Sequence, residues 1–105
     1  MNDSIIVGVA RIVLGLHGNA SLKGKRGVLN RIKDRVRDRF NVAIAEVGAL
    51  DAHEWSVMAI TCVSNDRNMA EKVLERVIRY IESIGEAELL ADDVSVENYG
   101  GGFEV

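Results

Sequence analysis

Hydrophobic residues recur along the chain with two different spacings, and these spacings predict the order of its elements. Apolar and β-branched residues alternate, or run together, in several short stretches, which is typical of strands. Two longer stretches place apolar residues three and four positions apart, which is typical of one side of a helix. In chain order, the sequence predicts a strand at 4–16, a helix at 21–40, a strand at 41–49, a strand at 55–63, a helix at about 66–84 and a short strand at about 93–97.

This βαββαβ order predicts the fold class. With right-handed crossovers, it gives an α+β domain of the ferredoxin-like type, with a four-stranded antiparallel sheet in the order 4-1-3-2 and both helices on one face. Gly8 and Ala10 lie on one side of the first strand, where their small size would let a helix approach closely. We expect a single domain at residues 1–99, followed by a flexible, glycine-rich tail at 100–105.

Two helices cover only one side of such a sheet, so the other side is expected to lie open. The residues predicted to line it are largely apolar, and a contiguous apolar patch on a monomer usually marks an interface. We therefore expect a homodimer through this open face, unless the long loop at the third strand or the C-terminal tail folds over it. The predicted dimer interface comprises Val7, Val9, Arg11, Val13, Ile44, Glu46, Trp55 and Val57, with Arg11 and Glu46 as polar partners.

The first helix concentrates the positive charge of the chain. Residues 21–40 hold eight of the thirteen basic residues and only two of the sixteen acidic ones. At helical spacing the apolar residues form one stripe, and basic residues follow both of its sides. The first basic row is Arg26, Asn30, Lys33 and Arg37, and the second basic row is Arg31, Arg35 and Arg39.

These basic rows supply the candidate binding residues. An anionic surface attracts clustered Lys and Arg side chains, whereas Asp34 and Asp38, which lie between the rows, reduce the field only partly. The alternative is a solvated helix face whose arginines pair with acidic residues elsewhere in the chain. The residues predicted to contact RNA or a partner are Lys23, Lys25, Arg26, Arg31, Lys33, Arg35 and Arg37.

Composition and charge narrow the class of protein. The chain has 105 residues, 48% of them hydrophobic, and a net charge of −3, which is typical of one globular domain. No apolar run reaches the ~20 residues of a membrane span, and no basic region precedes the first apolar run, so we expect a cytoplasmic protein. The single cysteine, Cys62, excludes an internal disulfide, and its place in a strand favours a buried thiol over a nucleophile.

The sequence lacks the usual signatures of catalysis and cofactor binding. It contains no nucleophile elbow, P-loop, Rossmann glycine pattern or zinc-type spacing of Cys and His. Asp51, His53 and Glu54 stand close together before the third strand, but polar residues in an exposed turn are more often solvated than bound to a metal. We therefore expect no enzymatic activity, no cofactor and no metal, and we identify no small-molecule substrate.

Several short motifs together resemble the YlxP-like family of small bacterial proteins. They are SLKGKR at 21–26, RFNVAIAEV at 39–47, Asp51 with Trp55, and VSND at 63–66. The resemblance covers about residues 5–97, and Gly24 departs from it, because the family usually has a charged residue there. It implies a ferredoxin-like domain, a bacterial cytoplasmic setting and a role near translation or ribosome maturation. It supplies no catalytic residues.

Two functional hypotheses of different classes follow. The first is binding to rRNA or a ribosomal subunit through phosphate contacts of the first helix, because clustered cations bind nucleic acid by counterion release. Aromatic residues are too few for a base-stacking sheet. The second is a homodimeric interaction module whose basic helix binds an acidic protein. Regulation by a small ligand at a dimer interface has only the analogy of fold behind it.

Overall fold

The structure is a computed structural model, and it describes residues 4–100. The elements follow the predicted order and most lie within two residues of the predicted bounds. They are β1 (Ile6–Gly15), α1 (Leu22–Arg39), β2 (Ala43–Gly48), β3 (Trp55–Ser64), α2 (Arg67–Ile84) and β4 (Glu88–Asn98).

The four strands form one antiparallel sheet in the order β2-β3-β1-β4. This is the predicted order read from the opposite edge, and with both helices packed against the sheet it confirms the ferredoxin-like α+β fold. The central strand β1 pairs with β3 over its whole length, from Ile6 opposite Ser64 to Gly15 opposite Trp55. β2 and β4 are therefore the two edge strands.

The core lies between the sheet and the two helices. Alternate residues of β1 and β3 face the helices and are fully buried, because successive side chains of a strand point to opposite faces. Gly8 lies among them, and a Cβ added there would lie 2.8 Å from Leu74 Cδ1 of α2 and 3.2 Å from Cys62 Sγ. The predicted close approach of a helix at Gly8 is confirmed. The largest buried side chains are those of Ile12, Leu14, Ile32, Met58, Ile60, Leu74 and Ile81.

Both helices begin at residues whose side chains cap them, and α2 also ends at a residue that favours its position. Ser21 caps α1, and its side chain accepts a hydrogen bond from the Gly24 amide. Asp66 caps α2 by accepting from the amides of Asn68 and Met69, so both N-termini have a side-chain acceptor for their unpaired amides. Gly85 ends α2 with a φ of 75°, a left-handed conformation that glycine adopts without strain.

The prediction for β2 was wrong about which residues face which side. Ile44 and Glu46 were predicted to line the open face, but Ile44 is 4% exposed and belongs to the core. In the register of β2 with β3, Ile44 lies opposite Ile60, and residues directly opposite each other point to the same face. The side chain of Ile44 therefore faces the helices, as that of Ile60 does. Glu46, two residues later in the strand, faces the same way. Ala43, Ala45 and Val47 are exposed on the other side instead.

The fourth strand is longer than predicted and draws the C-terminal segment into the sheet. β4 spans eleven residues and pairs with β1 from Gly15 opposite Glu88 to Ile6 opposite Asn98. Beyond it, the Tyr99 amide donates to Ile5 O at 2.8 Å and the Ile5 amide donates to Gly100 O at 3.0 Å. Backbone pairing thus reaches the first residue of the predicted tail. The rest of that tail, 101–105, lies outside the described residues.

Neither helix of the described chain could cross a membrane, because neither is apolar enough over the required length.

The close packing of α2 on Gly8 leads us to expect a loss of stability when this glycine is replaced. Gly8→Val should lower the free energy of unfolding by about 1–3 kcal/mol, because its side chain must displace the buried Leu74. Gly27→Ala is the matched control. It lies inside α1 with its nearest added contact, Arg31 Nη1, at 3.6 Å, so it should stabilise the protein by up to about 1 kcal/mol. Urea denaturation measures both, and equal effects of the same sign would contradict this account of Gly8.

Candidate functional site

The first helix presents its charged side away from the core, as its spacing predicts. Leu29, Ile32 and Val36 are buried, and Val28 and Phe40 are partly buried against the same cluster. This apolar stripe fixes the rotation of α1 about its axis, because its burial is the main stabilising contribution of the helix. The two basic rows therefore lie on either side of the contact with the sheet.

Lys25 was predicted to contact RNA or a partner, and the structure corrects this prediction. The residue is 2% exposed. Its Nζ donates to Ala49 O at 2.7 Å and to Trp55 O at 3.3 Å, and it lies 2.8 Å from Glu46 Oε2 in an ion pair. Three oxygens thus surround its three N–H donors. Lys25 stands four residues before Leu29 and so shares the side of the apolar stripe, but the oxygens that satisfy its ammonium come from distant positions in the chain.

Glu46 completes this buried polar cluster from the other side. Its Oε2 also accepts a hydrogen bond from Ser56 Oγ at 2.7 Å, and Ser56 is fully buried. The carboxylate predicted as a dimer contact is therefore used inside the subunit, to balance the Lys25 ammonium. A buried charge with a close counterion and satisfied hydrogen bonds is tolerated where an isolated one is not.

The second basic row is partly engaged within the chain. Arg31 Nε donates to Glu86 Oε2 at 2.7 Å, so its charge is balanced by the segment that follows α2. The guanidinium carbon of Arg39 lies 4.6 Å from the centre of the Tyr80 ring, a cation–π distance. Arg35, between them, is exposed and makes no ion pair within residues 4–100.

The first basic row faces the opposite way, toward the edge of the sheet formed by β2. Arg37 Nη2 donates to Ile44 O at 3.2 Å, a carbonyl on this outer edge. The other three members border a shallow cleft of about 110 Å³ between α1 and the segment that follows β2. The residues lining it are Leu22, Lys25, Arg26, Leu29, Asn30, Lys33, Glu46 and Leu50. The rim of this cleft is cationic, and its floor is the neutralised pair of Lys25 and Glu46.

The basic surface of α1 therefore contains fewer available cations than predicted, but several of them remain without an ion pair in the described chain. Within residues 4–100, α1 makes two ion pairs, Lys25 with Glu46 and Arg31 with Glu86. Of the predicted binding residues that make none, four lie on the side of the first basic row, and we call them the cationic face of α1. These residues are Lys23, Arg26, Lys33 and Arg37. Arg35, in the second row, also makes no ion pair in the described chain but lies on the other side of the helix. Asp34 and Asp38 are exposed beside them and lower the local potential without forming ion pairs in the described chain.

The start of α1 is shaped by Asn19, which sequence reasoning did not single out. Its Nδ2 donates to Ser21 O at 2.7 Å and to His53 O at 2.6 Å, so it ties the segment before α1 to the one before β3. A Cβ at Gly24 would clash with Asn19 Oδ1. Gly24, the residue that departs from the family pattern, is therefore the residue that makes room for this bridge.

The other groups considered for chemistry have ordinary surroundings. Within residues 4–100, no three His, Cys, Asp or Glu side chains converge as metal ligands, those of the loop with Asp51, His53 and Glu54 included. Cys62 is buried as predicted. Its burial raises the pKa of the thiol, and a hydrogen bond with the Gly8 backbone opposes the rise. His17 forms a surface pair with Glu88.

Of the predicted interface residues, six lie on the open side of the sheet. Val9 and Trp55 are 41% and 46% exposed, Arg11 is exposed, and Val7, Val13 and Val57 are partly exposed. The residues of β2 that share this side are Ala43, Ala45 and Val47, and Val63 of β3 joins them with 74% exposure. Only the register of β2 with β3 could have identified the three residues of β2, whereas alternation along β3 already places Val63 on the side of Trp55 and Val57.

Fold and surface together define a small ferredoxin-like α+β domain with a cationic first helix and an uncovered sheet face. Residues 7–94 match the family described as "Protein of unknown function (DUF503)", and the chain belongs to this family. It is 40% identical over 83 residues to the protein "Uncharacterized protein YlxP" of Bacillus subtilis (strain 168), an alignment that covers 79% of this chain and 90% of that one. The predicted resemblance is confirmed.

Among solved structures, the chain is similar to "De novo designed protein Foldit4". The two share 19% sequence identity and a TM-score of 0.48, over 93% of this chain and 99% of the designed one.

The buried cluster around Lys25 makes the second prediction. Lys25→Met should lower the free energy of unfolding by about 2–4 kcal/mol, because Glu46 and two carbonyls lose their donor. The matched control is Lys23→Met, at an exposed position of the same helix, with an expected change within about 0.5 kcal/mol. In a double-mutant cycle with Glu46→Gln, the coupling should be about 1–3 kcal/mol. Urea denaturation measures the stability of the four proteins of the cycle and of the control. Additive effects of Lys25→Met and Glu46→Gln would show that the pair contributes nothing.

Proposed function

We propose that the protein is a non-enzymatic, cytoplasmic RNA-binding module that contacts structured rRNA through the cationic face of α1. The observation that carries this proposal is the set of four cations on one side of α1 that make no ion pair within residues 4–100. An RNA backbone supplies closely spaced negative charges, and binding releases the counterions condensed on it. The 18-residue helix is about 27 Å long, enough to lie along several phosphates.

The distribution of acidic residues supports one orientation on RNA. α1 packs beside β2, at one edge of the sheet, whereas α2 packs against β4 at the other side. β4 carries Glu88, Asp92, Asp93 and Glu97 and no basic residue, so one concentration of negative charge lies at the edge of the sheet away from the cationic face. Like charges would repel RNA from the β4 side, and the resulting asymmetry orients the protein as it approaches. The same acidity disfavours indiscriminate binding.

The placement of the aromatic side chains favours contacts with phosphate and shape over stacking on bases. Phe40 and Tyr80 pack edge to face, with ring centres 5.7 Å apart, between the two helices. Trp55 is exposed, but no second aromatic residue stands opposite it on the neighbouring strand, where Gly15 is its partner. Sheets that read single-stranded RNA stack bases on two or three aromatic side chains. The translation setting implied by the family resemblance favours rRNA as the partner.

Charge reversal on two helices tests the proposal. Arg26→Glu with Lys33→Glu removes two cations of the first basic row, and Lys72→Glu with Arg76→Glu makes the same change in net charge on exposed positions of α2. Binding to purified ribosomal subunits, their precursors and a structured rRNA fragment is measured by co-sedimentation and fluorescence anisotropy. The α1 variant should weaken binding by at least about tenfold and reduce the log–log salt slope by about 2, whereas the α2 control should bind like the wild type.

Two outcomes would contradict the proposal. Equal losses in both variants would mean that net charge, and not the face of α1, governs binding. No affinity of the wild type for any of these RNAs at ~50 mM salt would exclude RNA as the partner. The cationic face would then fit an acidic protein, the second hypothesis drawn from the sequence.

A further inference from the structure

The open side of the sheet combines protruding apolar side chains with a hollow that is also lined mostly by apolar residues. Val9, Trp55 and Val63 protrude from β1 and β3 with 41%, 46% and 74% of their surface exposed. Beside them, the small residues of β2 and β3 leave a hollow of about 180 Å³. The residues lining it are Ala43, Ile44, Ala45, Ala59, Ile60 and Thr61. Val9 lies beside the hollow, opposite Thr61, whereas Trp55 and Val63 lie at the two ends of β3. One surface thus presents both protruding side chains and a recess, which are the two parts of a self-complementary contact.

The same face carries charges of both signs in separate places. Arg11 of β1 is exposed and makes no ion pair within the described chain, although the register places it opposite Asp93 of β4. Glu97 lies opposite Val7 on the same side. The face therefore has one cation near its centre and an acidic column along the β4 edge. A surface that carries both signs can pair with a copy of itself, whereas a one-sign surface would repel it.

The sheet edges are less suited to self-association than the face. Arg37 donates to Ile44 O of β2, and Arg67 Nη1 donates to Val96 O of β4 at 3.1 Å. Each edge strand thus has an arginine on an outward carbonyl that an added strand would need. β4 also carries several carboxylates, and charged side chains on an edge strand discourage pairing with another chain.

The dimensions of the face match those of a stable interface. β1 and β3 have ten residues each, which gives a length of about 33 Å, and four strands give a width of about 19 Å. The projected area is therefore about 600 Å², and the accessible area of a surface with ridges and recesses exceeds its projection. Standard protein interfaces bury about 800 Å² per partner.

We propose that a second copy of this chain covers the open sheet face, in a two-fold dimer that packs sheet against sheet. Val9 of each copy packs into the alanine-lined hollow of the other, and Trp55 and Val63, at the two ends of β3, add apolar contact around it. Arg11 of each copy meets the acidic β4 column of the other. The two α1 helices then lie on the outer sides of a four-layer assembly, so the dimer presents two cationic faces. The side chains of Ile44 and Glu46 take no part, because both are used within the subunit.

Self-association through the open sheet face does not depend on RNA binding, so the experiment uses the protein alone. Val9→Lys places a charge at the centre of the proposed contact, on a strand that cannot take part in edge pairing. Its matched control is Met69→Lys, which makes a similar change at a residue of α2 with 50% exposure on the helix side. Ala45→Lys on β2 is a second interface variant, in case Val9→Lys does not fold. Circular dichroism and urea denaturation check the folding of each variant.

Light scattering after size exclusion gives the mass of each protein at about 50 μM. The wild type and Met69→Lys should show twice the chain mass of 11.5 kDa. The folded interface variants should show the mass of a single chain, because the dissociation constant of their dimer is raised at least about a hundredfold. The proposal is overturned by a monomeric wild type at about 200 μM, or by folded interface variants that remain dimeric. The same measurement is made on a chain shortened to end at Gly100. If the full chain is monomeric and the shortened chain is dimeric, residues 101–105 occupy the open face, and the proposal is overturned.

Discussion

The buried ammonium of Lys25 is the interaction on which the arrangement of the charged surface depends. It joins the first turns of α1 to the end of β2, to the segment that follows and to the start of β3, through Glu46, Ala49 and Trp55. Removing one partner would leave a buried charge or carbonyl without a hydrogen bond, and such groups are costly. The cluster therefore holds the helix against the β2 side of the sheet. Ala49, whose carbonyl accepts from Lys25, has a left-handed conformation with a φ of 56°, which non-glycine residues seldom adopt.

This attachment divides the cations of α1 into groups with different roles. Lys25 serves stability alone, Arg31 joins α1 to the segment after α2, and Arg39 packs on Tyr80. The first basic row is left beside the β2 edge, where Arg37 reaches a backbone carbonyl and Arg26 and Lys33 border the cleft. A count of basic residues overstates the charge available to a partner, because burial and internal pairing withdraw some of them. The remaining cations still face away from the acidic strand β4, so the charge distribution of the molecule is asymmetric.

The two surfaces considered for binding lie on opposite sides of the sheet. Helices cover one face and carry the cations outward, while the other face keeps exposed valines, alanines and Trp55. Exposed apolar area of this kind is unusual on a monomer, whereas the arginines at both sheet edges limit strand addition there. A dimer through the open face would leave both cationic faces exposed. Two linked sites bind a large surface more tightly than one, since the second contact forms within the same complex.

The sequence by itself determined the order of the elements, the fold class and the apolar stripe of α1, because these depend on local spacing and on residues close together in the chain. Tertiary structure alone decided three features. The side on which Ile44 and Glu46 lie follows from register with β3, since both alternating sets of β2 contain apolar residues and periodicity cannot choose between them. The length of β4 follows from pairing with β1, which draws in acidic residues that seldom form strands alone. Lys25 is buried because its oxygen acceptors come from positions 21 to 30 residues away, and no local pattern brings them together.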